Sequence, residues 1–219
     1  MVLSYPLDRD AFLGALPIAE QVFSLTENVE FSGLAEGSIL RDEIGPRLWR
    51  GRCAIGPMPR DEAPAAEALV SLLQRAGTSF LAWRLDRAYP QGDPGGTILG
   101  AGTPTIAALP ASGVELSIAG LPAGYAIAPG DMLSFGYGSS PSRRALHRVV
   151  GAAVVADGTG LTPNIEVEPP IRAGAAPSTP VELIRPYCKA VIVPGSVTPG
   201  TVRRNKVRGL SFEFIQTLR

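Results

Sequence analysis

His147 is the only histidine among the 219 residues. A Ser–His–Asp triad, a histidine metal site or a histidine general base would all have to use it. It sits in Ala145-Leu146-His147-Arg148-Val149-Val150, where alternation places it beside apolar neighbours. Nothing nearby in the sequence supplies an orienting carboxylate or a nucleophile pattern, so the expectation is a satisfied strand histidine. The run 135–142, FGYGSSPS, is faintly like a phosphate loop. It lacks the lysine and the third glycine, no amphipathic helix follows, and a hairpin tip explains it. Asp131 follows a Pro-Gly turn and is expected to cap that turn with its carboxylate. A carboxylate-dependent hydrolase would rest on Asp131, Glu166 or Glu168, and would lose activity on their substitution. No G-x-S-x-G occurs.

Cys53 and Cys188 lie far apart without C-x-x-C or metal-like spacing, and are read as two buried thiols acting as small apolar residues. The pairs Arg143-Arg144 and Arg203-Arg204 are local, without interleaved aromatics, and do not form a nucleic-acid stripe. They are read as solvated loop residues or interface contacts. Trp49, Phe80 and Trp83 could make a ligand platform, but aromatics on strands more often fill the core. The expectation from these residues is no catalytic, cofactor-binding or metal site, and a chain that works as a scaffold.

The elements that position these residues follow from composition and period. Gly (25) and Pro (21) recur at short intervals, which breaks long helices and favours short strands joined by turns. Residues 61–76, DEAPAAEALVSLLQRA, escape that punctuation. They place Ala66, Leu69, Leu72, Leu73 and Ala76 on one face at helical spacing. Asp61 and Glu62 suit the positive end of a helix dipole, Arg75 the negative end, and Gly77 a left-handed stop. Before this helix, Trp49, Cys53 and Ile55 alternate with Arg50 and Arg52, the pattern of a half-buried strand. After it, residues 79–85 are apolar and aromatic on both faces, as in a central strand. At the end of the chain Leu210, Phe212 and Phe214 alternate with Ser211 and Glu213. This strand is expected to pair with those around residues 48 and 80.

Between residues 92 and 186 the texture changes. GDPGG (92–96) is read as a flexible joint. Five strand-like runs follow, at 114–120, 126–136, 145–154, 161–169 and 181–186, with a hairpin signal at 157–160. Short strands without a helix indicate a small closed barrel or sandwich. The expected class is α+β, mainly β. It comprises an N-terminal arm (1–18), a belt-type β-sandwich domain with one packed helix (19–92 and 186–219), and an inserted small all-β barrel-like domain (93–185). Its expected core positions are Trp49, Leu69, Leu72, Leu73, Phe80, Trp83, Phe212 and Phe214.

Twenty acidic and twenty basic side chains give zero net charge, which disfavours nucleic-acid or anionic-membrane binding and favours self-association. The basic residues are 18 Arg and only Lys189 and Lys206, and Arg serves interfaces through its planar fork. Asp8, Arg9 and Asp10 interrupt any signal-peptide core, and no run approaches the ~18 apolar residues of a membrane span. A cytoplasmic site of synthesis is expected.

The run 45–83, GPRLWRGRCAIGPMPRDEAPAAEALVSLLQRAGTSFLAW, with RGLSFEFIQTL (208–218), resembles the N-terminal belt domain of distal tail (Dit) proteins and related minor tail proteins of long-tailed phages. Residues 120–153, with a GD-containing hairpin followed by His147-Arg148-Val149, are similar to stretches in phage tail proteins and gene transfer agents. The resemblance implies a virion structural protein at the tail tip or baseplate, assembled in the host bacterial cytoplasm. It further implies a hexameric ring between the tail tube protein and the baseplate hub protein, with no cofactor, no direct nucleic-acid contact and no membrane contact. Many Dit proteins carry a longer carbohydrate-binding-like domain where this chain has a small insertion. The other reading is a carbohydrate- or peptide-binding β-module on the same kind of particle, for which Tyr125, Phe135 and Tyr137 would have to be exposed.

Overall fold

The computed structural model describes residues 3–33 and 36–219. Its first part runs β1 (Ile18–Leu25), β2 (Val29–Gly33), β3 (Ile39–Glu43), β4 (Trp49–Ile55), β5 (Met58–Pro59), α1 (Ala63–Leu73) and β6 (Phe80–Trp83). The middle supplies β7 (Thr105–Ala108), β8 (Glu115–Ala119), β9 (Ala126–Ile127), β10 (Met132–Tyr137), β11 (Arg143–Val149), β12 (Val154–Val155), β13 (Ile165–Glu168) and β14 (Val181–Glu182). The chain returns through β15 (Tyr187–Ile192), β16 (Thr201–Arg203), β17 (Lys206–Arg208) and β18 (Ser211–Gln216). The class is α+β, mainly β, with one packed helix.

One sheet has the order β1-β4-β18-β15-β6. The alternation in β4 buries Trp49, Gly51, Cys53 and Ile55 and exposes Arg50 and Arg52. The last strand, β18, lies in the middle of the sheet between β4 and β15. It therefore pairs with the strand at residue 49 as expected, but its second partner is β15 and not the strand at residue 80. β6 is an edge strand, where residues 79–85 read as a central one. Its open side is closed by the N-terminal segment: Leu7 makes a parallel bridge to Phe80, and the Leu81 N–H donates to the Leu7 carbonyl at 2.9 Å.

The segment read as an N-terminal arm is consequently part of the core, apart from Met1 and Val2, which lie outside the described residues. Leu7, Phe12, Leu13 and Leu16 are buried in the same cluster as α1 and the sheet. The Phe12 ring lies 4.7 Å from Phe80 and 5.4 Å from Phe212, centroid to centroid. Phe214 packs against Phe23 at 5.6 Å and Phe80 at 5.7 Å. α1 spans fewer residues than its periodicity suggests and buries Ala63, Ala66, Val70 and Leu73. Leu69 is half-buried against this core, Leu72 is only partly covered and Ala76 is exposed. The face is thus rotated toward Val70, where the helix packs on the core, and Pro64 in the first turn starts the helix later than Asp61.

The middle segment forms a second sheet in the order β14-β10-β11-β13-β8-β7. It nearly closes into a barrel, since the Ile106 N–H donates to the Thr179 carbonyl and the Val181 N–H to the Pro104 carbonyl, at 2.9 and 2.8 Å. Its own cluster includes Ile118, Ile127, Leu133, Phe135, Ile165 and Val167. The two ends of this segment leave β6 and β15, which are paired neighbours. The expected flexible joint at 92–96 is an ordered turn: buried Asp93 accepts from the backbone N–H groups of Ile98 and Leu99 at 3.1 and 2.9 Å. Residues 157–160 do form a tight turn, with Asp157 Oδ1 accepting from the Thr159 N–H at 2.8 Å. They do not join a hairpin, because β12 pairs with β9.

Side chains fasten the two clusters together. Trp49 Nε1 donates to the Leu146 carbonyl at 2.7 Å, and the Tyr187 N–H donates to Ser134 Oγ at 3.1 Å. Met132 and Leu146, from the barrel strands, belong to the first cluster.

Candidate assembly surfaces

The residues with chemical potential are engaged in structure. His147 is buried on β11, stacked on Phe135 with centroids 5.2 Å apart. Its Nδ1 lies 2.7 Å from the Pro169 carbonyl, which can only accept, so the proton sits on Nδ1. Among the described residues Nε2 has no partner. Burial depresses its pKa to about 4, against the pull of the Pro169 carbonyl and with the help of the Arg172 charge. Asp131 is buried and binds the N–H groups of Gln91 and Ala128 at 2.9 and 2.8 Å, the turn-capping role expected for it. Residues 135–137 end β10, and residues 138–142 are the hairpin tip that joins it to β11.

Glu168 is clasped by Arg47 and by Arg148, the latter at 2.7 Å. Burial works to raise its pKa, but hydrogen bonds from the two guanidinium groups outweigh that and hold it below the ordinary value. A carboxylate so held is ionised at neutral pH, the opposite of a general acid. Glu166 projects into an open cleft of about 620 Å³ between the β2–β3 hairpin and β13, with Glu27, Arg41 and Glu43 on the facing wall.

The aromatic residues do not make a platform. Trp49, Phe80 and Trp83 are buried, as are Phe212 and Phe214. Tyr125, Phe135 and Tyr137 are buried inside the barrel, so they present no stacking surface to a sugar. Cys53 and Cys188 are free and buried. Burial pushes the Cys53 thiol up to about 12, against a hydrogen bond from Gln21, and pushes Cys188 up as well. Arg143 donates to the Leu218 carbonyl at 2.7 Å and Arg144 lies 4.4 Å over the Tyr187 ring, so this pair is structural.

Two hairpins that the sequence reading did not single out as elements carry further uncommitted side chains. β2 and β3 form a two-stranded sheet of their own. Phe31 is 74% exposed, Ile39 68% and Leu40 59%. The signal was a weak alternation in 29–33 and 39–43, diluted by charge. β16 pairs with β17, which pairs with β5, and this hairpin carries Arg203, Arg204, Lys206 and Arg208, all exposed. The sequence reading left Arg203-Arg204 as solvated loop residues or interface contacts; Arg203 ends β16 and Arg204 occupies the turn with φ +54°.

No protein-family model matches this chain, and no curated protein matches it either. Among the described residues no helix is long and apolar enough to cross a membrane.

Proposed function

We propose that this chain is a structural subunit of the tail tip of a long-tailed phage or gene transfer agent, forming a ring that joins the tail tube to the hub. The observation that carries the reading is the apolar, unpartnered β2–β3 hairpin. Phe31 and Ile39 stand in water on one face of this small element and Leu40 on the other, and large apolar side chains exposed in this way mark surfaces that other chains cover. The resemblance to distal tail proteins supplies the kind of assembly and its six-fold order. Support also comes from the arrangement of the resembling segments. β4, α1 and β6 follow one another, and β18 returns to the sheet beside β4, as the resemblance implies.

The engaged state of His147, Asp131 and Glu168 agrees with a scaffold role. A ring subunit needs a heterologous contact that closes on itself, and the exposed faces of the two hairpins offer the surfaces for one. The test is immunogold labelling of intact particles with an antibody against the barrel segment. Label confined to the tail tip is the expected result. Label on the head, along the whole tube or nowhere on the particle would refute the reading.

A further inference from the structure

The chain is neutral, yet two of its hairpins carry charge of opposite sign. Residues 27–43 carry Glu27, Glu30, Glu36, Asp42 and Glu43 against the single Arg41. Residues 201–208 carry Arg203, Arg204, Lys206 and Arg208 and no acid. The cross-strand register sharpens this. Glu30 stands opposite Asp42 in the β2–β3 ladder, and Arg203 stands opposite Lys206 in the β16–β17 ladder. Like charges directly opposite each other destabilise a hairpin, and each hairpin here carries one such pair. Among the described residues neither pair takes part in an ion pair.

Each charge set also shares one face. Side chains alternate along a strand, so Glu30 and Asp42 lie on the same side as exposed Leu40, opposite to the side bearing Val29, Arg41 and Glu43 that lines the cleft. On the other hairpin Arg203, Lys206 and Arg208 share the outer face, and Val207 is buried beneath. The two hairpins leave opposite ends of β4. The β2–β3 hairpin extends the β1–β4 pair beyond Leu25 and Trp49, while β5, which holds β17, follows Ile55. Seven extended residues separate those ends, about 20 Å at ~3.3 Å per residue. The acidic and basic faces therefore lie at opposite ends of β4 within one chain, where they can meet between chains placed head to tail.

We infer that the acidic face of the β2–β3 hairpin docks on the basic face of the β16–β17 hairpin of a second copy. Glu30 and Asp42 then meet Arg203, Lys206 and Arg208, and Leu40 loses its exposure to water. This contact is heterologous, the type that generates a ring when its rotation closes. It deepens the assembly reading above and rests on it.

The sequence offers a direct assay, because Lys206 is one of only two lysines. A carbodiimide joins a lysine amine to a touching carboxylate without a spacer. Mixed nitrogen-14 and nitrogen-15 full-length chains are treated at low salt, and linked peptides are read by mass spectrometry. The expected product joins Lys206 of one isotope to Glu30 or Asp42 of the other. Its yield should fall about fivefold or more near 1 M salt, where the screening length shrinks to ~3 Å. Two variants, checked for folding by circular dichroism, give direction. Arg203→Glu/Arg208→Glu and Glu30→Arg/Asp42→Arg should each lose the link alone. Their equimolar mixture should restore it, solely between Lys206 of the second variant and Glu30 or Asp42 of the first.

Absence of the mixed-isotope link, or an unchanged yield in the first variant, overturns the pairing. So does retention of a DNA duplex by the basic face without the link, which would mark a polyanion partner. If the chain assembles while Lys206 links elsewhere, the pairing fails and the ring reading stands. The position of label on the particle judges that reading separately.

Discussion

Lowering the pH should destabilise this protein through His147 before its carboxylates are affected. The ring is buried, its Nδ1–H is committed to the Pro169 carbonyl, and Nε2 faces no acceptor. Protonation at Nε2 would place a charge and an unsatisfied N–H in the barrel. The pKa accordingly drops from 6.5 to about 4, chiefly through burial. A depressed histidine pKa means that the unfolded chain binds the proton more readily. Its contribution is therefore complete above pH 6.5, is lost as pH falls toward 4, and changes no further below that. Integrated over the window, the loss is about 3 kcal/mol.

The carboxylates held low by their partners, such as Glu168 beside Arg47 and Arg148, act in a separate range. Their contribution is present above the ordinary carboxylate value and fades below it, beneath most of the histidine window. Urea unfolding followed by fluorescence of buried Trp49 and Trp83 at pH 7.5, 6.5, 5.5 and 4.5 resolves the effect. His147→Gln, which can still donate to Pro169 but cannot titrate, should be less stable at pH 7.5 and nearly flat across the series. A flat wild-type profile, or an equal slope in the variant, would refute the assignment.

Three further outcomes are expected. Phe212→Ala and Phe214→Ala should each cost ~3–5 kcal/mol in urea unfolding, since both rings are fully buried among Phe12, Phe23 and Phe80; losses below ~1 kcal/mol at both sites are surface values and would contradict their place in the core. Trp49→Phe should cost about 1–3 kcal/mol, because the buried Leu146 carbonyl loses its donor, and a neutral result would show that this bond does not fasten the two clusters. Excising 93–185 and joining the ends, which leave the paired strands β6 and β15, should yield a remainder with native-like circular dichroism and a lower melting temperature; an unfolded remainder would show that the first cluster cannot stand alone.

The sequence made the half-buried strands readable, because alternation survives wherever one face is wet. Trp49-Arg50-Gly51-Arg52-Cys53 and Phe212-Glu213-Phe214 declare their inward sides without any knowledge of partners. Partner choice is a long-range property, and there the reading failed: β18 took β15 as its second neighbour and left β6 at an edge. The closure of that edge by Leu7, and the burial of Phe12, Leu13 and Leu16, were hidden by Asp8, Arg9 and Asp10. β7 was missed because Thr105–Ala108 is a short run between Pro104 and Pro110.

The helix was legible by period, but its face was drawn through Leu72 when burial runs through Val70. The candidate surfaces were the least legible part. Glu30 facing Asp42 and Arg203 facing Lys206 are facts of register, and register is invisible until the turn geometry is known.

The central claim is that this chain forms a collar at the end of a tail tube, and a cryo-electron microscopy reconstruction of the tip of the intact particle tests it most directly. The account predicts a closed ring of copies between tube and hub, six-fold as the resemblance implies, with each copy's β2–β3 hairpin reaching the β16–β17 hairpin of its neighbour. A tip map into which no ring of this fold can be placed, or density for this chain only in the head or along the tube, would contradict it.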